Sequence, residues 1–241
     1  MRFRRAHHSV ARTDQGKVRT RNEDAFLNSP EHGLWVVADG MGGHRGGDVA
    51  SQLVVRSLAG LGRRDCLDER LDAVRQCLQW VNRRLGQETS VTAGQDAITG
   101  STVVALLVEG KRAACLWAGD SRCYLWREQR LYQLSRDHSV LQHLVDSKQL
   151  TPEQAAQHPA ARALTRAVGA ADLLCLDVIQ LDVRHDDIFL LCSDGLYQAL
   201  EPNALGDALS MNSSGLTLDL LFERVLRGPA SDNLTAVVIR P

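Results

Sequence analysis

Two stretches of this chain end alike. Residues 34–38 (Leu-Trp-Val-Val-Ala) run into Asp39-Gly40, and residues 188–192 (Ile-Phe-Leu-Leu-Cys) run through Ser193 into Asp194-Gly195. A lone Asp-Gly after a strand is ordinarily a turn, because both residues suit turn backbone. Two of them after near-continuous apolar runs are less easily read that way. A third run, residues 115–118, leads to Gly119-Asp120; Asn22-Glu23-Asp24 and Ser231-Asp232-Asn233 stand before the strand-like residues 25–27 and 234–239. If these ends converge, Glu23, Asp24, Asp39, Asp120, Asp194 and Asp232 share one site. Carboxylates so close raise one another's pKa and repel unless cations are bound. The candidate ligands are all oxygens, with no motif-placed His or Cys, which favours Mg2+ or Mn2+ over zinc. Glycine after the aspartate lets a main-chain carbonyl approach a metal closely. A pair of such ions could activate a water and hold a phosphoryl oxygen.

Other glycine-based chemistries fail on the residues. Gly40-Met41-Gly42-Gly43-His44-Arg45 lacks the last glycine of a dinucleotide fingerprint, and no Gly-Lys-Ser/Thr follows it for a P-loop. No Gly-x-Ser-x-Gly elbow occurs, which weakens a serine-hydrolase reading.

Strands must hold the acids in place, and helices must cover the strands. Val49, Leu53, Val54, Leu58 and Leu61 recur at helical spacing. Leu67, Leu71, Val74, Leu78, Val81 and Leu85 form one stripe, with Gly86 where a C-terminal cap is expected. Residues 102–134 alternate strands and turns and read as an antiparallel meander. Residues 137–169 are polar and helical; Thr151-Pro152-Glu153-Gln154 predicts a capped helix start. Strands return at 178–183 and 188–192, two helical patterns follow, and 234–239 is the last strand. The sum is α+β, with sheets inside and helices outside.

The 241 residues are read as one domain, and 44% hydrophobic with 24% charged is an ordinary globular mixture. A net charge of -1 lacks the basic footprint of a nucleic-acid binder. The basic start (Arg2, Arg4, Arg5) reads as a solvated tail. No run approaches the ~20 apolar residues of a membrane span, and residues 1–10 carry no apolar core of a secretory signal. Six cysteines without a C-x-x-C pair fit buried thiols in a reducing cytosol better than disulfides or zinc.

Seven motifs stand in order: Arg19-x-x-Asn22-Glu23-Asp24, Asp39-Gly40-Met41-Gly42-Gly43-His44, Gly100-Ser101-Thr102, Ala118-Gly119-Asp120-Ser121-Arg122, Leu164-Thr165-Arg166-Ala167-Val168-Gly169, Cys192-Ser193-Asp194-Gly195 and Asp232-Asn233-Leu234-Thr235. They resemble the PP2C (PPM) family of metal-dependent protein phosphatases, in its short bacterial form, over residues 9–239. The resemblance implies a four-layer α-β-β-α sandwich of two stacked antiparallel sheets flanked by helices. It implies a single domain over 1–241, with a tail at 1–8 and a flap at 137–169 beside the active site; with few apolar anchors and a break at Pro159, that flap is expected to be mobile and to shape substrate choice. Two Mn2+ or Mg2+ ions would be held by Glu23, Asp39, the Gly40 carbonyl, Asp194 and Asp232, with Asp39 as the bridge. Asp24 would hold metal-bound waters, and Asp120 with Asp194 a weaker third ion. Arg19 would grip the substrate phosphate, a role that suits a guanidinium fork. Asp39, Asp194 and Arg19 are thus the catalytic candidates.

The implied activity is hydrolysis of phosphoserine and phosphothreonine by a water that two metals activate, with no phosphoenzyme. One position departs from the family: Met41 stands where many eukaryotic members carry a histidine, which leaves His44 as a candidate proton donor. His138, His143 and His158 read as surface or loop residues. The implied partners are phosphorylated proteins and an opposing bacterial Ser/Thr kinase system, including those that accompany type VI secretion, where forkhead-associated proteins are substrates. The implied state is a cytoplasmic monomer. Two alternatives are an inactive phosphoprotein-binding regulator, disfavoured because every matched acid is filled, and a small-molecule phosphomonoesterase.

Overall fold

The computed structural model describes residues 7–42, 46–62, 64, 66–92, 99–147 and 150–241. Strands β1 (His8–Asp14), β2 (Asp24–Ser29) and β3 (Leu34–Met41) lead into helices α1 (Gly47–Ala59) and α2 (Leu67–Thr92). Next come β4 (Gly100–Ser101), β5 (Val103–Glu109), β6 (Arg112–Ala118), β7 (Arg122–Arg127) and β8 (Arg130–Gln133). Short helices α3 (Val140–Asp146) and α4 (Pro152–Ala156) precede β9 (Asp177–Asp182) and β10 (Ile188–Cys192). Helices α5 (Asp194–Tyr197), α6 (Pro202–Leu209) and α7 (Ser214–Arg227) precede β11 (Leu234–Arg240).

Two antiparallel sheets result, ordered β1-β11-β10-β7-β8 and β2-β3-β5-β6-β9, with β4 paired to β3. Side chains alternate across each strand. Val37, Val104, Leu106, Phe189, Leu191 and Val237 face the other sheet and build a core between the two. Their neighbours Val36, Ala105 and Leu107 face α1 and α2. On the far side Leu190, Cys192 and Val238 face α6 and α7. Both faces of the inner strands are therefore covered, which is why their sequences read as apolar runs rather than alternation. The expected α-β-β-α layering is the one found.

The six-residue stripe on α2 is buried throughout. Gly86 does not cap that helix, which continues to Thr92. Glycine inside a helix costs about 1 kcal/mol against alanine, and the packed stripe holds the turn regardless. On α1 the expected stripe loses a member: Val49 is exposed while Ala50 and Ser51 take the buried face.

The expected meander is instead two hairpins in different sheets. β5 pairs with β6, and β7 pairs with β8 around Glu128 and Gln129, both at positive φ as a tight twisted turn requires. Between the hairpins, Gly119-Asp120-Ser121 carries the chain from one sheet to the other, with Gly119 at φ +111°. A turn signal in sequence does not say whether the next strand pairs or crosses. Asp39-Gly40 also proves not to be a turn: β3 runs through both to Met41.

Candidate active site

The acids meet where strand ends of both sheets come together. Asp39 on β3 is the register partner of Asp24 on β2. Its main chain is clamped: the Asp39 amide donates to Thr102 Oγ1 (3.0 Å), and its carbonyl accepts from the Thr102 amide (2.8 Å) and Ser101 Oγ (3.1 Å). Thr102 Oγ1 in turn lies 2.7 Å from Ser121 Oγ, tying β5 to the crossing that carries Asp120. Gly40 has no room for a side chain, since a Cβ would lie 2.0 Å from the Gly47 carbonyl oxygen. A Cβ on Gly47 would lie 2.8 Å from the Glu23 carboxylate. Two glycines thus let α1 begin directly against Asp39 and Glu23.

Asp194 opens α5, just past β10. Ser193 before it bridges the sheets: its Oγ donates to Asp24 Oδ2 (2.7 Å) and accepts from the Thr235 amide (3.0 Å). Gln198 Nε2 donates to Asp194 Oδ2 at 2.9 Å. Asn233 spends its whole amide on the loop before β2. Its Oδ1 accepts from the Glu23 amide (2.8 Å), and its Nδ2 donates to the carbonyls of Gln15 and Arg21 (2.9 Å each). That loop carries Arg19, whose Nη2 donates to Asp232 Oδ2 at 2.7 Å. Asp120 is held through its carbonyl, which accepts from the Tyr197 hydroxyl at 3.1 Å. The Tyr197 ring lies under Arg122 (3.6 Å from guanidinium carbon to ring centre), and Arg122 makes a two-pronged pair with Asp137 (2.9 and 2.7 Å).

Burial and mutual repulsion act together here. Burial, opposed by hydrogen bonds from Ser193 and Thr235 and reinforced by Asp194 and Asp232, pushes Asp24 up to about 7. Burial, then Asp194 and Asp137, pushes Asp120 up to about 7. Asp39 is driven well above the carboxylate range by burial and by Asp24, Asp194, Asp120 and Asp232. Asp194 is raised by burial and Asp232, and Glu23 by burial and Asp48. Arg19 is raised by its hydrogen bond to Asp232.

Such a cluster suits hard cations. Asp24 Oδ1 is buried without a hydrogen-bond partner, an acceptor that a cation's hydration shell would satisfy. Among the described residues the side chains do not close on one point as a finished cage. Asp232 is turned to Arg19, which offsets part of its charge. The donor set, all oxygen and strongly acidic, fits Mg2+ or Mn2+.

Arg19, Glu23, Asp24, Asp39, Gly40, Asp120, Asp194 and Asp232 are therefore brought together. His44 lies outside the described residues. Met41 is partly exposed, with its Cε beside Gly100. His143 and His158 are exposed as expected, but His138 is buried at 7% exposure, packed beneath Trp117. Thr102, Ser193 and Asn233 stand inside the sequence motifs without an assigned role; their signal was a hydrogen-bonding side chain beside an acid at a strand end. Tyr197 had no such signal, because its partner is far along the chain.

A model of the family "Protein phosphatase 2C" matches residues 14–233. The serine/threonine protein phosphatase PstP of Mycobacterium tuberculosis is 34% identical over 229 residues, covering 95% of this chain. The chain spans 44% of the length of that relative. A structure of PppA, a key regulatory component of T6SS in Pseudomonas aeruginosa, superposes with a TM-score of 0.90 at 42% identity, covering 98% of each chain. The catalytic domain of PstP in complex with two manganese ions superposes with a TM-score of 0.83 at 34% identity, covering 97% of each.

Proposed function

This chain belongs to the protein phosphatase 2C family, and from that footing we propose that it hydrolyses phosphoserine and phosphothreonine in proteins with Mn2+ or Mg2+. The carrying observation is the electrostatics of the cleft: Asp39 feels four other aspartates at once, and Asp24 keeps a buried oxygen without a partner. Bound divalent ions would neutralise this charge, make a water nucleophilic near neutral pH and draw electron density from the phosphoryl oxygens.

The residues divide the work. Glu23, Asp39, the Gly40 carbonyl, Asp194 and Asp232 would hold the two core ions, Asp39 serving both. Asp120 and Asp194 would hold a weaker third. Asp24 would accept hydrogens from waters on the ions, and the Ser193 hydroxyl holds its carboxylate in place. Arg19 now pairs with Asp232 and is half exposed, so its remaining donors are open to a phosphate. No side-chain nucleophile is required, and positioning with charge neutralisation lowers the barrier. Arg162 of the flap helps hold Asp194 down electrostatically, which supports the flap as one wall of the substrate cleft.

The substrates are proteins phosphorylated by a bacterial Ser/Thr kinase system, and the likeness to PppA supports a type VI secretion setting. Among the described residues no helix is long and apolar enough to cross a membrane. The test is dephosphorylation of a phosphopeptide panel. Activity vanishes in EDTA and returns with Mn2+; activity that survives exhaustive chelation overturns the metal reading, and hydrolysis of small esters alone overturns the protein-substrate reading.

A further inference from the structure

The sequence reads His138 as a surface or loop residue; it lies in a loop but is buried, and the mechanism above does not use it. The structure buries it at the root of the flap, against the crossing that carries Asp120. His138 grips Gly119 twice: its main-chain amide donates to the Gly119 carbonyl (2.9 Å), and its Nδ1 accepts from the Gly119 amide (3.2 Å). A backbone N–H can only donate, so Nδ1 carries no proton. Nε2 then holds the ring's hydrogen and donates it to Asp177 Oδ2 at 3.1 Å. Arg166 Nη1 donates to the other oxygen of Asp177 at 2.7 Å and sets a positive charge beside the ring. Burial first and that charge with it favour the neutral imidazole, against the opposing pull of Asp177. Trp117 stacks on the ring at 6.1 Å between centres.

Gly119 needs this grip. It sits at φ +111°, where a Cβ would collide with Thr102 at 2.6 Å. A glycine backbone is loose unless its own amide and carbonyl are held, and Asp120 is the next residue. The same histidine also ties the two ends of the flap together. Its carbonyl accepts from the Thr165 amide at 2.8 Å, and Ser139 bridges Leu164, so both ends of the flap meet there.

We propose that His138, as the neutral tautomer protonated on Nε2, is a positioning residue that fixes Gly119 and thereby aims Asp120 at the third metal ion, joining that site to the flap. This rests on the reading of Asp120 as a ligand of the weaker ion. Removing such an outer partner typically costs ~10–100-fold in metal affinity.

The tautomer is read without any variant: 15N NMR of the metal-free protein, labelled at histidine, should show an unprotonated Nδ1 and a protonated Nε2 for His138. The reverse pattern overturns the proposal. Mn2+ titration of the metal-free protein by calorimetry then separates tight from weak ions. His138→Gln keeps a group near Nε2 but loses the Gly119 acceptor, and should weaken the last ion by about tenfold or more while the tight ions hold. His138→Asn keeps an acceptor near Nδ1 and should restore most of that affinity, which a merely space-filling role would not do. Equal weak-site affinity in wild type and His138→Gln overturns the proposal, as does equal loss in both variants. If Asp120→Asn leaves the weak ion unchanged, it is the ligand reading that falls.

Discussion

Asp39 carries the largest electrostatic load of any residue in the cleft. Its carboxyl is partly buried and faces Asp24, Asp194, Asp120 and Asp232, so its charge calls for a shared proton or a shared cation. Asp39→Asn and Asp194→Asn keep shape and lose charge. Turnover should fall to background in each, while circular dichroism and the metal-free melting temperature hold or rise, because a repelling charge is gone. Full activity in either would sink the ligand assignment. Arg19→Ala should act differently, through binding. A charge-assisted hydrogen bond is worth about 1.5–3 kcal/mol, so KM for a phosphopeptide should rise ~10–100-fold with a smaller change in kcat. A fall in kcat alone would mean that Arg19 serves Asp232 rather than the substrate.

The elements are placed by two kinds of constraint, and substitutions separate them. The α2 stripe is plain packing: Leu78 is fully buried against the sheet. Leu78→Ala should cost about 2–5 kcal/mol of stability and leave KM at low temperature unchanged. The β6–β7 crossing is a conformational constraint with a functional load. Gly119→Ala meets both a positive φ and a Cβ 2.6 Å from Thr102. It should cost stability through strain of about 1–3 kcal/mol plus the clash, and should also weaken the Mn2+ dependence that Asp120 serves. Chemical denaturation with metal titration checks the pair; a Gly119→Ala protein with wild-type metal affinity would show that the crossing does not aim Asp120. Elements of this kind differ in legibility. The stripe was legible because helical period is a local property. The crossing was not, because Gly119-Asp120-Ser121 reads the same whether β7 pairs with β6 or leaves for the other sheet.

At the scale of the whole molecule, the cleft makes stability depend on pH and on metal. Asp24 and Asp120 titrate near 3.8 when unfolded and at about 7 when folded, so the folded chain without metal holds protons that the unfolded chain has released. Their contribution is complete below about 3.8 and is lost as pH rises through about 7. The metal-free melting temperature should therefore drop between about pH 4 and pH 7 and level off above it, and saturating Mn2+ should offset the drop by binding only the folded state. A metal-free melting temperature that climbs over that interval would refute the charge-cluster account. The sequence by itself determined the layered α+β class, the helix stripe and the identities of Glu23, Asp39, Asp120, Asp194 and Asp232, because apolar period and acids beside strand ends are local features that survive in one dimension. Only the tertiary structure decided that Asp39 continues a strand rather than ending it, that the presumed meander splits between two sheets, that Asn233 binds the Arg19 loop, and that His138 is buried against Gly119. Each of these rests on contacts between residues distant in the chain, whose partners are chosen when the two sheets stack.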